Sequence, residues 1–408
     1  MNILFVIDCL NLGGAQTFLL RLVRALAPNH NIIIYVLYPN ERDKQLEQSF
    51  LNGLNVKIVS VFTYTKISNW LVGKVGNALY RLGYKTFRKD ITDRLIVNRL
   101  KFIILSEKIN VINSHLFASD WMVFQIIKNT NIRWFVSMHG CYETFLHGGY
   151  YEKFKLDYID HDFIEKSECV FKRANGIILA SDKNKKINSY LSQETVNNVK
   201  QKKIYYGFQP NHFVKKERSE YNIPGDRLIF GMVARGIKEK GWKFLLNSFM
   251  GLINEGFSNI HLILVCDRTP YIDGLKEEYT HDNILFTGPS YSPLEWVHLM
   301  DVTILPTYFS GESLPNSVIE YLYANKPVIA CNTGDISTMV SDQDEKAGFL
   351  IPLTESNRPD QEALTSAMRA YILDPNLKIK HGEIAKAAFQ KFDMNYCVES
   401  YLNFFQDK

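Results

Sequence analysis

The chain is predicted to be an α/β protein in which each of two domains holds a mainly parallel sheet covered by helices on both faces. Three observations predict this. Short apolar runs alternate with amphipathic helical stretches from the first residues onward, the pattern of parallel strands buried on both sides. A turn-rich segment, Tyr205-Tyr206-Gly207-Phe208-Gln209-Pro210-Asn211, interrupts that alternation, and a fresh apolar run begins at Leu228. Residues 305–332, LPTYFSGESLPNSVIEYLYANKPVIACN, then read as a strand, a polar loop, a helix and a second strand.

Composition agrees with a globular chain. Its 408 residues are 46% apolar and 22% charged, and the formal charge is only +4, too small to argue for a nucleic-acid partner. Six cysteines lie scattered without C-x-x-C spacing, several within apolar strands, so they read as reduced, buried hydrophobes of a cytosolic protein. Met1–Val6 lacks a basic leader region and reaches Asp8 too early for a signal peptide. No run approaches the roughly 20 apolar residues that a membrane span requires.

Asn2 to Asp8 is a buried strand. Gly13 and Gly14 follow, opening a helix to about Ala27 with Phe18, Leu19, Leu22, Val23 and Leu26 on one face. A glycine pair at such a turn lets a ligand's polar end approach the backbone and the helix N-terminus. It is equally a bare turn, and it fails the dinucleotide pattern G-x-G-x-x-G. Further strands fall at Ile32–Leu37, Val56–Phe62, Val111–Ser114, Trp134–Met138 and Gly176–Ala180.

Residues 64–108 hold ten Lys or Arg against three Asp or Glu, more positive charge than the whole chain's net. On a helix, Lys74, Arg81, Lys85 and Arg88 share one face and Val75, Ala78, Leu79 and Leu82 the adjoining one. The pattern suits a surface helix resting on an anionic bilayer through residues 66–101, and equally a solvated basic face over the core. His115 and His139 end two strands; a lone histidine is more often structural than catalytic, but Gly140 follows His139 at a carboxyl end. Residues 140–162, rich in Tyr, Phe and Gly and including Tyr142, suit either an acceptor-contacting loop or a surface insertion. His115, His139, Cys141 and His147 match no known metal spacing. Asp160-His161-Asp162 has the form of a metal-binding D-x-D, but it falls in a helical stretch and is discounted.

In the second half, the strand from Leu228 leads to Arg235 and Lys240, two cations at a strand-to-loop edge. Such a pair neutralises a diphosphate and the charge that builds on it as a leaving group; singly, each is an ordinary surface cation. Arg268, after the strand Ile260–Cys266, is a further phosphate contact or simply solvated. Another strand falls at Ile284–Gly288. In residues 305–332, Pro315 suits a first helical turn and Ser313 its cap. Glu312 lies in the loop and Glu320 in the helix. Alone, each is a dipole-favoured or solvated carboxylate; together beside an anion-attracting helix end they read as acceptors for sugar hydroxyls. Tyr396 to Phe405 carries an apolar face of Val398, Tyr401, Leu402 and Phe405.

Glu312-x7-Glu320 within SGESLPNSVIEYLYANKPVIA, with Arg235-x4-Lys240-Gly241 some seventy residues earlier, resembles the signature of retaining glycosyltransferases of family 4, glycosyl transferases group 1. Three places depart from the family's usual residues: Ser313-Leu314-Pro315, Tyr321 and Asn325. The resemblance implies the GT-B fold, two Rossmann-like doubly wound domains facing across a cleft. Residues 1–208 would form the acceptor-side domain, 209–390 the nucleotide-sugar domain, and 391–408 a helix crossing back to the first. It implies a metal-independent, cofactor-free, hexosyltransferase-type enzyme using a nucleoside diphosphate sugar and a glycan or lipid-linked acceptor, in bacterial surface polysaccharide assembly. By the resemblance, Arg235, Lys240, Ser313, Asn316 and Gly14 hold the donor diphosphate and Glu320 the ribose. Glu312 and His139 take catalytic places at the donor sugar, and Gly13, His115 and Tyr142 line the cleft on the acceptor side. It implies a cytoplasmic protein, peripheral on the inner membrane face if residues 66–101 bind lipid. Rival readings are an epimerase or inverting transferase of the same fold, with His139 or Glu143 as base, and a catalytically idle glycan- or membrane-binding subunit.

Overall fold

The computed structural model of the chain describes residues 1–38, 40–61, 87–142, 162–211 and 213–407. Two units emerge: Met1–Ile204 with the chain from Cys397 onward, and Tyr205–Tyr396. The chain thus leaves the first unit a few residues before position 208 and returns to it within the first turn of its last helix.

The first unit's strands are β1 (Asn2–Ile7), β2 (Asn31–Val36), β3 (Val56–Ser60), β4 (Val111–His115), β5 (Arg133–Met138), β6 (Gly176–Leu179) and β7 (Gln201–Lys203). They form one parallel sheet in the order β3-β2-β1-β4-β5-β6-β7. Strands β1 and β4 are unbroken buried runs, as a sheet covered on both faces requires. The order reverses between β1 and β4, the switch point where the loops from the two strands part to opposite faces and leave a crevice.

The second unit repeats the plan. Its strands are β8 (Leu228–Val233), β9 (Ile260–Val265), β10 (Ile284–Gly288), β11 (Val302–Leu305), β12 (Val328–Cys331), a two-stranded ribbon of β13 (Ser341–Asp342) and β14 (Glu345–Lys346), and β15 (Gly348–Ile351). The main sheet is parallel in the order β10-β9-β8-β11-β12-β15. Its switch point falls between β8 and β11.

The last helix, Met394–Gln406, carries the return. Phe404 and Phe405 pack on Phe135 of β5 with ring centroids 5.3 and 5.0 Å away, and the Tyr401 hydroxyl lies 3.3 Å from Ser137 Oγ. Gly176 makes room, because a Cβ there would sit 2.5 Å from the Phe404 ring. Each buried aromatic contributes about 1.5–3 kcal/mol of transfer free energy.

Of the basic stretch 66–101, residues 66–86 lie outside the described set; residues 87–101 belong to the helix Phe87–Ser106. Residues 143–161, with Glu143, His147 and Asp160-His161, also lie outside it. Among the described residues no helix is long and apolar enough to cross a membrane.

Candidate functional site

In the second unit, the loops leaving the two switch-point strands are stitched together. Arg235 follows β8, and Trp242 Nε1–H donates back to the Arg235 carbonyl at 2.9 Å, closing the loop that carries Lys240. The Tyr308 N–H donates to the Glu239 carbonyl at 2.9 Å, joining that loop to the one after β11. Gly241 makes the approach feasible. Its φ is +86°, and a Cβ would lie 2.1 Å from the Pro306 carbonyl oxygen, so both the backbone region and the space demand glycine.

These constraints bring three of the expected residues into one cluster. Lys240 Nζ lies 2.5 Å from Glu312 Oε2, with both side chains nearly inaccessible to water. Thr307 Oγ–H donates to the same carboxylate oxygen at 2.9 Å. The Phe309 ring holds the cations together: Arg235 Cζ and Lys240 Nζ each stand 5.5 Å from its centroid, within cation–π range. Burial pulls the Lys240 ammonium below its ordinary pKa; Glu312 opposes that shift and Arg235 adds to it. A cation so placed is poorly hydrated and coupled to a single carboxylate, so an anion that replaces the carboxylate meets little competition from water.

Glu320 sits on the helix Asn316–Tyr323, 4% exposed. Its neighbour Tyr321 anchors that helix to the other switch-point strand, since the Val233 N–H donates to the Tyr321 hydroxyl at 2.7 Å. Tyr321 therefore ties the helix of Glu320 to the strand that ends just before Arg235. Ser313 is not the helix cap it is expected to be. The helix starts at Asn316 with Pro315 at the N-cap, φ −68° and ψ 121°, and the Ser313 carbonyl instead accepts from the Asp335 N–H at 2.9 Å. Gly334, φ +59°, permits that contact: a Cβ there would lie 2.6 Å from the Ser313 carbonyl oxygen.

Asn325 explains its own departure from glycine. It adopts φ +55° after the helix, its N–H bonds the Leu322 carbonyl and the Lys326 N–H bonds the Tyr321 carbonyl, which is a Schellman termination. Asn is the residue that tolerates this region best after glycine. Arg268 is exposed and does not join the cluster.

In the first unit, the expected residues gather at the carboxyl edge of β1, β4 and β5. Gly13 and Gly14 begin the helix Gly14–Leu26. His115 closes β4 and His139 follows β5; their rings meet end to end, centroids 4.9 Å apart, with His115 Nδ1 2.7 Å from His139 Nε2. Burial drives both imidazoles to lower pKa, that of His139 to about 3. His115, expected as an acceptor contact, is wholly buried behind His139.

Tyr142 is likewise corrected. Its ring is buried and its hydroxyl is bonded to Asp120 Oδ2, so it holds the interior together and presents no hydroxyl to a sugar. Asp120 also accepts from Ser114 Oγ–H at 2.6 Å, and Ser114 Oγ accepts from Trp134 Nε1–H at 2.8 Å. Burial raises the Asp120 carboxyl to about 8 and that of Asp8, at the end of β1, to about 6. Asp8 is held by the Ser119 N–H at 3.0 Å and Oγ–H at 2.5 Å.

Sequence reasoning missed Phe309, Thr307, Gly334, Asn113 and Asp120. Asn113 alone had a readable signal, since it lies two residues from His115 on one strand and so on the same face. Among the described residues no group of three or more His, Cys, Asp or Glu converges to hold a metal.

Comparison with known proteins fits this geometry. Residues 227–374 match the family model described as glycosyl transferases group 1. A capsular polysaccharide biosynthesis glycosyltransferase, CapM, of Staphylococcus aureus is 26% identical over 169 residues, 40% of this chain and 42% of the relative. An uncharacterized glycosyltransferase of Methanocaldococcus jannaschii is 27% identical over 172 residues, with the same coverage. The matched stretch thus spans about two fifths of the length of these relatives. Among solved structures, sucrose-phosphate synthase from Thermosynechococcus elongatus superposes with TM-score 0.73 at 18% identity, over 100% of this chain and 98% of that one. WaaG, a glycosyltransferase involved in lipopolysaccharide biosynthesis, gives 0.68 at 13% identity over the whole of both chains. Anabaena HepE in complex with UDP and glucose gives 0.70 at 15% identity, over 99% of this chain and 98% of that one. The fold is GT-B.

Proposed function

We propose, from the premise that residues 227–374 belong to the glycosyl transferases of group 1, that the protein transfers a sugar from a nucleoside diphosphate donor to a glycan or lipid-linked acceptor. The observation that carries this reading is the buried Lys240–Glu312 pair with Arg235 on the same Phe309 ring, at the second unit's switch point. A donor diphosphate replaces Glu312 as the partner of Lys240, and Arg235 takes a second phosphate oxygen. The freed Glu312 carboxylate accepts a hydroxyl of the donor sugar, and Glu320 accepts the ribose hydroxyls. Backbone N–H groups at Ser313 and Asn316 complete the phosphate contacts. As the bond to the anomeric carbon breaks, negative charge builds on the leaving phosphate where the two cations meet it; the reaction so described requires no resident metal. The leaving phosphate oxygen takes the acceptor's proton, so the new bond forms on the face just vacated and configuration is retained. Within the first unit, Gly13, Gly14 and His139 are the residues that the family resemblance assigns to substrate contact.

The pathway reading, a bacterial capsule or lipopolysaccharide glycan, rests on the similarity to CapM of capsular polysaccharide biosynthesis and to WaaG of lipopolysaccharide biosynthesis. A panel of nucleotide sugars, assayed for free nucleotide release, tests the activity. One donor is expected to turn over, with Arg235→Ala and Lys240→Ala losing at least a hundredfold; Glu320→Ala without effect overturns the ribose assignment. NMR of the product's anomeric proton separates retention from inversion. Interconversion of the nucleotide sugar without nucleotide release would instead mark an epimerase.

Membrane contact is supported by the helix Phe87–Ser106, where Phe102 is 59% and Leu105 78% exposed beside exposed Arg94 and Lys101. Apolar and basic side chains sharing one helix face bind an anionic interface. Flotation with vesicles containing anionic lipid, lost in Phe102→Ser with Leu105→Ser, is the expected result. Equal recovery with neutral vesicles sinks it.

A further inference from the structure

The hydroxyl of Thr307 stands where three groups of the second unit meet. Thr307 is wholly buried. Its Oγ lies 2.9 Å from Glu312 Oε2 and 3.3 Å from the Glu239 carbonyl oxygen, and the Phe309 N–H donates to it at 3.3 Å. A hydroxyl has one proton. It goes to the carboxylate, which is both the nearer acceptor and the charged one. The bond received from the Phe309 N–H polarises the hydroxyl towards donation. One side chain thus fixes the Glu312 carboxylate and the backbone of the residue whose ring faces Arg235 and Lys240. Threonine is branched at Cβ, so its buried methyl group holds χ1 and the hydroxyl keeps its direction.

Glu312 Oε2 receives both Lys240 Nζ, at 2.5 Å, and the Thr307 hydroxyl. The two donors respond differently to an anion. The lysine ammonium is a charge on a flexible stem, and a diphosphate draws it off the carboxylate. The threonine hydroxyl is neutral and held by its own packing, so it stays.

We infer that Thr307 is a positioning residue that retains Glu312 when the donor diphosphate takes Lys240, so that the carboxylate meets a donor-sugar hydroxyl in a fixed direction. The inference rests on the transferase reading for its ligands, whereas the shared carboxylate oxygen is a matter of geometry alone. Thr307 touches no substrate and acts through Glu312. Its effect therefore falls on recognition of the sugar and leaves the hold of the cations on the diphosphate intact.

The test compares Thr307→Val, which keeps the shape and removes the hydroxyl, with Thr307→Ser, which keeps the hydroxyl. With the nucleotide sugar chosen by the panel, Thr307→Val is expected to raise the donor KM about tenfold, while calorimetric affinity for the free nucleoside diphosphate stays within about twofold. Thr307→Ser is expected to restore the donor KM to within about threefold of wild type. A merely structural role would lower both affinities together with the thermal midpoint, and that result overturns the inference. The sharper readout is a series of monodeoxy analogues of the donor sugar. Wild type and Thr307→Ser are expected to lose about tenfold or more in kcat/KM on the analogue lacking the hydroxyl that Glu312 accepts, and Thr307→Val about twofold or less. An undiminished loss in Thr307→Val, no loss on any analogue in wild type, or Thr307→Ser behaving as Thr307→Val each overturns it. A second arm needs no turnover. Thr307→Val and Glu312→Gln, made singly and together, are expected to shift the urea midpoint non-additively, and additive shifts overturn the contact. Should no nucleotide sugar turn over, the transferase reading fails by itself, and the cycle still decides whether Thr307 holds Glu312.

Discussion

Lys240 Nζ and Glu312 Oε2 stand 2.5 Å apart, their side chains 9% and 7% exposed. Removing one partner of such a pair strands the other charge in a poorly solvated place. Glu312→Ala is therefore expected to destabilise the protein by about 3–5 kcal/mol, seen as a lower urea midpoint. The double substitution Lys240→Met with Glu312→Leu should recover most of that stability and none of the nucleotide release. Recovery of activity in the double variant would show that the pair is structural.

Gly241 lies in the left-handed region with Pro306 directly against it. Gly241→Ala costs about 1–2 kcal/mol for the backbone alone and in addition forces the Lys240 loop away from the loop after β11. Nucleotide release should fall at least tenfold while circular dichroism stays unchanged. Wild-type kinetics would mean that the junction does not set the cation geometry.

Asn325, also at positive φ, has open tolerance for one other residue. Asn325→Gly should leave the thermal midpoint unchanged or slightly higher, whereas Asn325→Val should lose about 1–2 kcal/mol. Equal midpoints for the two would contradict the left-handed helix termination.

Asp120 and Asp8 have folded-state pKa values near 8 and 6, above the ordinary carboxyl value because both are buried. A raised carboxyl pKa means that the unfolded chain has already lost the proton which the native state keeps. Stability from Asp120 is therefore present below pH 4 and declines as pH rises towards 8, by at most about 1.4 kcal/mol per pH unit. The lowered histidines act oppositely, losing stability as pH falls below 6.5. Between pH 6.5 and 8 the carboxyl trend should dominate, with a falling thermal midpoint that Asp120→Asn flattens. An identical slope in that variant would place the titration elsewhere.

The alternation of apolar runs with amphipathic stretches was legible, and every strand expected from it is present to within a residue or two, because burial on both faces leaves an unbroken hydrophobic signature. Tyr142 was misjudged because an aromatic near a strand end looks the same whether its hydroxyl meets a ligand or a buried carboxylate. Ser313 was misjudged as a cap because the helix begins only at Asn316, which puts Pro315 in the N-cap position.

The sequence by itself determined the elements, the two glutamates and two cations, and the apolar face of the last helix, since these are written in local spacing and residue type. Only the tertiary structure decided which carboxylate meets which cation, that one phenyl ring serves both cations, and that His115 meets His139. Those facts depend on strand order at the switch points and on contacts between residues as far apart as Lys240 and Glu312, and no local pattern encodes them.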